Sequence, residues 1–241
     1  MHMDRRQFVK NLGLGTASLS MGSLVTASSC APSGDSSLKQ NVKEGEDGQF
    51  LFIGDDIAIA QTEYGKVQGY LLNHVYTFLG VPYGADTSGK NRFMPPQKPE
   101  PWTDVRPAVF YGNTAPQRME NRWPNNYGTF ADHWNYWDVS EDCLYLNVWT
   151  PGIADGKKRP VLVWLHGGGF TNGSGIEQDG YHGENISREG DIVFCSINHR
   201  LGPIGFSDLS GVGGEAYKDS GNVGMLDIIA ALRWVHDNIA N

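Results

Sequence analysis

The sequence predicts an α/β domain in which strands come first and an alternation of strand and helix follows. Three observations predict it. Short apolar runs separated by turn residues fill the stretch from residue 57 to residue 82. Two continuous apolar runs, 160–166 and 191–197, have the pattern of strands buried on both faces of a mostly parallel sheet. Residues 222–239 repeat apolar positions at helical spacing. A hydrophobic content of 39% with 11% aromatic residues is that of a folded chain with a core.

Taken in order, residues 57–62 and 66–72 flank Glu63-Tyr64-Gly65 and read as a β-hairpin about a glycine-containing turn. Residues 75–81 form a further strand closed by Pro82, and residues 144–149 another that ends at Thr150-Pro151. In the run 191–197, Cys195 reads as a small core residue. The helix over 222–239 places Leu226, Ile229, Ala230, Leu232, Trp234 and Val235 on one broad apolar face, with Asp227, Arg233 and Asp237 as its polar residues. Buried strands alternating with helical segments call for a layered α/β sheet.

The 241 residues suffice for one large domain or two small ones. A net charge of −8 argues against nucleic acid or an anionic membrane held by electrostatics. The body of the chain holds no unbroken apolar run of about 20 residues, the length a membrane helix requires. Cys30, Cys143 and Cys195 are too few for a disulfide-built scaffold and have no metal-ligand spacing, so neither a structural metal nor another cofactor is indicated.

Residues 1–29 read as an export signal. Asp4-Arg5-Arg6-Gln7-Phe8-Val9-Lys10 resembles a twin-arginine signature, and an uncharged stretch rich in Gly, Ala, Ser and Leu follows it. The alternative is a frayed N-terminal helix, which the glycines disfavour. Val25-Thr26-Ala27-Ser28-Ser29-Cys30 resembles a lipobox with Cys30 as the lipidated residue, although Ala27 stands where leucine is commoner. Plain cleavage with Cys30 incidental is the other reading. Residues 30–50 are polar and read as a flexible tether, and 51–241 as the folded domain. Membrane contact is then only through the lipid, and the location is the cell envelope or periplasm.

Leu79-Gly80-Val81-Pro82-Tyr83-Gly84, Asn91-Arg92-Phe93 and Pro101-Trp102 resemble the opening of the carboxylesterase/cholinesterase family. Ser140-Glu141-Asp142-Cys143-Leu144-Tyr145-Leu146-Asn147-Val148-Trp149-Thr150-Pro151 resembles its second signature. Trp164-Leu165-His166-Gly167-Gly168-Gly169-Phe170, Asn198-His199-Arg200-Leu201-Gly202 and Gly221-Asn222-Val223-Gly224-Met225-Leu226-Asp227 follow in the family's order. His-Gly-Gly-Gly alone also suits other esterases; the Glu-Asp-Cys-Leu-Tyr-Leu-Asn block points to type B. The resemblance implies an α/β-hydrolase fold, here its N-terminal portion, and hydrolysis of a small carboxylic ester through an acyl-serine. It also implies an ion pair between Arg92 and Glu141. Relatives commonly pair the cysteine at 143 with one in an upstream Cys-Pro-Gln; here that place reads Ala115-Pro116-Gln117, which leaves Cys143 a buried free thiol.

Ester cleavage passes through an oxyanion that pre-aimed backbone N–H groups stabilise. By resemblance Gly168 and Gly169 supply those donors and Gly167 shapes the loop. Glycine suits the place because a side chain would block the approach of backbone to substrate. His166 is a loop-orienting residue rather than the base, and His199 and Arg200 are structural. His74, His133, His182 and His236 stand in no motif. An aromatic segment with Asn126, Tyr127, Trp134, Tyr136 and Trp137 suits either a pocket lining or surface packing. No serine of the chain lies in G-x-S-x-G: Ser207 has Gly205 before it but Leu209 after, and Ser174 has Asn172 two places earlier. The expectation is that nucleophile, acid and base lie beyond Asn241 and that the chain alone does not turn over. The rival reading is a cholinesterase-like binding module or an inactive fragment, since fold does not prove catalysis.

Overall fold

The computed structural model describes residues 50–118 and 138–240. The segment expected to be an export signal, Cys30, nearly all of the expected tether and the aromatic segment from Asn126 to Trp137 lie outside these residues. Nine strands come in order: β1 (Leu51–Phe52), β2 (Ile59–Thr62), β3 (Gly65–Gln68), β4 (Tyr70–Leu72), β5 (Val75–Pro82), β6 (Arg106–Pro107), β7 (Tyr145–Thr150), β8 (Val161–Leu165) and β9 (Val193–Ile197). The helices are α1 (Glu184–Gly190), α2 (Gly202–Phe206), α3 (Ser210–Gly213) and α4 (Val223–Asn238).

Six strands form the main sheet in the order β1-β4-β5-β7-β9-β8, while β2, β3 and β6 form a small one. In the main sheet only β8 and β9 are parallel; the other neighbours are antiparallel. A parallel pair needs a crossover, usually helical, and β8–α1–β9 is the unit that supplies one here. The parallel character read from the sequence is therefore confined to this end of the described fold.

The hairpin forms as expected between β2 and β3, with Thr62 opposite Gly65. The run 66–72, read as one strand, is instead broken at Gly69. Its N–H donates to the Ala58 carbonyl at 2.9 Å, and a Cβ there would collide with the Thr77 carbonyl. The break sends β3 to the small sheet and β4 to the main one. Gly80 marks a second irregularity, the register shift of β5 against β7. With φ at +64° it adopts a conformation that favours glycine, and its N–H donates to buried Asn147 Oδ1 at 2.9 Å.

Strand β9 is buried along its whole length, as its apolar run implies. The same expectation fails for β8. Val161 is 38% exposed and Leu165 45%, because β8 is the last strand of the sheet and no described element covers it. An apolar run reports what a strand can bury; its neighbours decide whether it does.

Helix α4 also departs from its expected face. Trp234 and Val235 are buried, but Ile229 and Leu232 are 41% and 44% exposed, and Asp227 is fully buried. The reason is Arg200, itself 1% exposed. Its Nε and Nη2 donate to Asp227 Oδ2 and Oδ1 at 2.8 and 2.6 Å, its backbone N–H donates to Oδ2 at 3.1 Å, and Nη1 donates to the Met94 carbonyl at 2.8 Å. A buried carboxylate is tolerable only with such partners. At the other end of α4, Asn238 Oδ1 accepts from the Glu63 N–H at 2.7 Å and ties the helix to the hairpin turn.

Cys143 and Cys195 are buried free thiols. Burial pushes the Cys195 thiol up to about 12 and Cys143 up as well, so both stay protonated and unreactive at neutral pH. Ala115 is buried where a pairing cysteine was absent from the sequence. Among the described residues no helix is long and apolar enough to cross a membrane.

Candidate active site

The glycine run leaves the C-terminal end of β8 through His166. Gly168 has φ at +120°, Gly169 at +61° and Phe170 at +64°. A Cβ on Gly168 would collide with the Asn172 carbonyl, so that position admits only glycine without rearrangement. The Gly168 carbonyl turns inward and accepts from Thr171 N–H at 3.1 Å, Asn172 N–H at 3.3 Å and Thr171 Oγ1 at 2.9 Å. The N–H groups of Gly168 and Gly169 donate to no acceptor among the described residues, and both glycines are exposed. Two amides on consecutive residues, unused by the fold, are an arrangement that suits an anionic oxygen.

Polar side chains hold the loop from beneath. Gln117 Nε2 donates to the Gly173 carbonyl at 2.9 Å, and Gly173 N–H donates back to Gln117 Oε1 at 2.8 Å. Gly175 N–H donates to Asn198 Oδ1 at 2.8 Å, and Asn198 Nδ2 donates to the Asn113 carbonyl at 3.0 Å. The rings of His166 and His199 stack with centroids 4.8 Å apart and planes 11° from parallel. His166 Nδ1 faces the Gly167 carbonyl at 2.8 Å, and His199 Nδ1 faces the Arg200 carbonyl at 2.9 Å. Burial lowers the His199 pKa below the ordinary imidazole value, which favours its neutral form. Beyond the glycines, the Phe170 carbonyl accepts from Gly202 N–H at 2.7 Å, joining the loop to the start of α2.

The sequence profile of the carboxylesterase family matches residues 56–241. The chain belongs to the carboxylesterase family. Phenmedipham hydrolase of Pseudarthrobacter oxydans is 44% identical over 182 residues, covering 76% of this chain and 34% of that protein. Para-nitrobenzyl esterase of Bacillus subtilis is 41% identical over 185 residues, covering 76% and 35%. Among solved structures, an esterase of Clostridium hathewayi that can hydrolyse aliphatic aromatic polyesters superposes with a TM-score of 0.73 at 41% identity, over 80% of this chain and 36% of that one. The fold is that of an α/β-hydrolase. The chain spans about a third of the length of the curated relatives it matches.

Within this carboxylesterase chain the type-B signatures act as fasteners. Arg92 meets Glu141 in a two-pronged pair, Nε to Oε2 and Nη2 to Oε1 both at 2.7 Å, as the resemblance implied. Asn198, Arg200 and Asp227, each from a signature block, anchor the loop and α4 to the sheet. Sequence reasoning found Gly167, Gly168, Gly169 and His166 together. It missed Gln117, considered only as a neighbour of the absent cysteine, and it missed Asn198 as a loop anchor. Nothing in local pattern marks an amide side chain that clasps the backbone of a residue 56 positions away.

A cleft of about 450 Å³ lies elsewhere, lined by Phe78, Val81, Val148 and Trp234, and includes no residue of the glycine loop. The chemical case rests on the loop's backbone rather than on that cleft. Among the described residues no group of three His, Cys, Asp or Glu side chains is placed to hold a metal ion.

Proposed function

We propose that the protein is a serine carboxylesterase and that Gly168 and Gly169 form its oxyanion hole, with Gly167 shaping the approach. A serine attacks the ester carbonyl carbon while a histidine takes the hydroxyl proton. The carbonyl oxygen becomes an oxyanion that accepts from the Gly168 and Gly169 amides. The alcohol leaves with the proton, and water then releases the acid from the acyl-serine by the same steps. The observation that carries this reading is the pair of adjacent amides at the end of β8 that no described acceptor uses. Each such donor contributes on the order of 10²–10³ in rate.

No serine in the 241 residues stands in G-x-S-x-G, and family order puts nucleophile, acid and base after α4. We place them in sequence that follows Asn241, so that the 241 residues alone do not turn over. The substrate is a small carboxylic ester. Cys30 carries the lipid that holds the exported enzyme to the envelope, and Cys30→Ala releases it to the soluble fraction.

The test is to express the reading frame through its own stop codon, assay p-nitrophenyl acetate and butyrate, and label with a fluorophosphonate. Hydrolysis with a single labelled serine in a G-x-S-x-G segment supports the proposal. Absence of both turnover and label in the folded product overturns it in favour of a binding module.

A further inference from the structure

Gln117 stands out among the groups around the loop because it makes two hydrogen bonds to the backbone of one residue, Gly173. Its Nε2 also donates to the Ala115 carbonyl at 3.1 Å, which ties the side chain back to its own chain segment. A primary amide offers a donor and an acceptor side by side in a plane at any pH, and here they meet the N–H and C=O of a single residue. Gly173 is buried, so its N–H and C=O need these partners. Gly173 in turn bears on the start of the loop. With φ at +115°, a Cβ there would strike the His166 ring and the Gly167 carbonyl. The preceding residue, Asn172, supplies the carbonyl against which Gly168 is seated.

We infer that Gln117 is a positioning residue for the oxyanion loop: by clasping Gly173 it sets the Asn172 and Gly173 backbone, and this backbone fixes where the Gly168 and Gly169 amides point. The inference rests on the reading of those two amides as oxyanion donors. The chain of contacts is short and each link is polar or steric, so a rotation at 173 is transmitted to 168. Asn198 holds Gly175 independently through its own bond to the Asn113 carbonyl. Loss of Gln117 therefore loosens the aim of the loop and leaves its attachment to β9 in place.

The experiment uses the full-length enzyme, with kcat expressed per serine titrated by a phosphonate, and compares Gln117→Glu with Gln117→Leu. Ionised, the glutamate presents two acceptors and faces the Gly173 carbonyl with no donor; protonated, it again offers one donor and one acceptor. Gln117→Leu lowers kcat on the order of tenfold or more with KM within about twofold, because aim matters in the transition state more than in the ground state. Gln117→Glu shows a comparable deficit at pH 8, and the deficit narrows as pH falls toward the carboxyl range at about 4–5, where the Leu variant gains nothing relative to the parent. Variants with parental kcat per titrated serine at every pH overturn the proposal, as does a loss confined to the fraction of titratable protein. A parent enzyme with no titratable serine overturns the oxyanion reading first, and the inference with it.

Discussion

Two polar regions a short distance apart in sequence are built on opposite principles. Around Arg200 and Asp227, each charged group is buried and consumed by the other, by backbone and by the Met94 carbonyl. In the glycine loop the carbonyl of Gly168 is consumed while the amides of Gly168 and Gly169 have no acceptor among the described residues. Satisfied polar groups stabilise a scaffold; unsatisfied but aimed ones are available to a substrate. On the proposed function, the difference separates residues whose loss unfolds the protein from residues whose loss lowers its activity.

The largest effect is expected from Asp227→Ala. It leaves the Arg200 guanidinium buried and uncompensated, and a loss of about 3–5 kcal/mol in urea unfolding of the full-length protein is expected. A loss comparable to that of a surface substitution would show that this pair is not the fastener described. Gly168→Ala should do the reverse. It adds a Cβ at φ +120° against the Asn172 carbonyl, and kcat per titrated serine should fall on the order of 10²-fold, with a stability loss of only about 1–3 kcal/mol. If stability falls by more than activity, the loop belongs to the scaffold after all.

A smaller effect comes from His199. Burial holds its folded pKa below the ordinary 6.5, so the folded state binds fewer protons than the unfolded state once the pH drops below that value. Its contribution is complete above about 6.5 and is lost as pH falls from there toward the folded pKa. Replacing His199 with Phe should flatten the acid side of the stability curve below pH 6.5, measured as the difference from the parent; an unchanged slope would contradict it. His182, likewise lowered by burial, acts with the same sign and remains in both proteins. The smallest effect is that of Arg92→Ala. Its side chain is 46% exposed in the pair with Glu141, and water and salt screen the charges, so the two-pronged geometry leaves only a small fall in unfolding midpoint, one that shrinks further at high salt.

The elements whose signal is local were legible in the sequence. The β2–β3 hairpin, β5, β7, β9 and α4 lie where their patterns put them, and the glycine run ends a strand as the resemblance implied. What was not legible depends on partners distant in sequence. Asp227 read only as a polar residue of the helix; Arg200, 27 positions away, takes it into the core. The strand β8 looked buried until its place at the end of the sheet was known. Gly69 breaks a run of strand-formers because of the Thr77 carbonyl on β5, a contact that exists only once β4 has paired with β5. Gln117 has the same character: its role comes from Gly173, brought beside it only by the fold.

The most direct test of the central claim is a crystal structure of the full-length protein with a phosphonate bound covalently to its nucleophilic serine. The phosphoryl oxygen then stands where the oxyanion would form. With Gly168 and Gly169 as the oxyanion hole, it accepts from their N–H groups at about 2.7–3.1 Å. A phosphoryl oxygen held by other donors, with those two amides turned away, would contradict it.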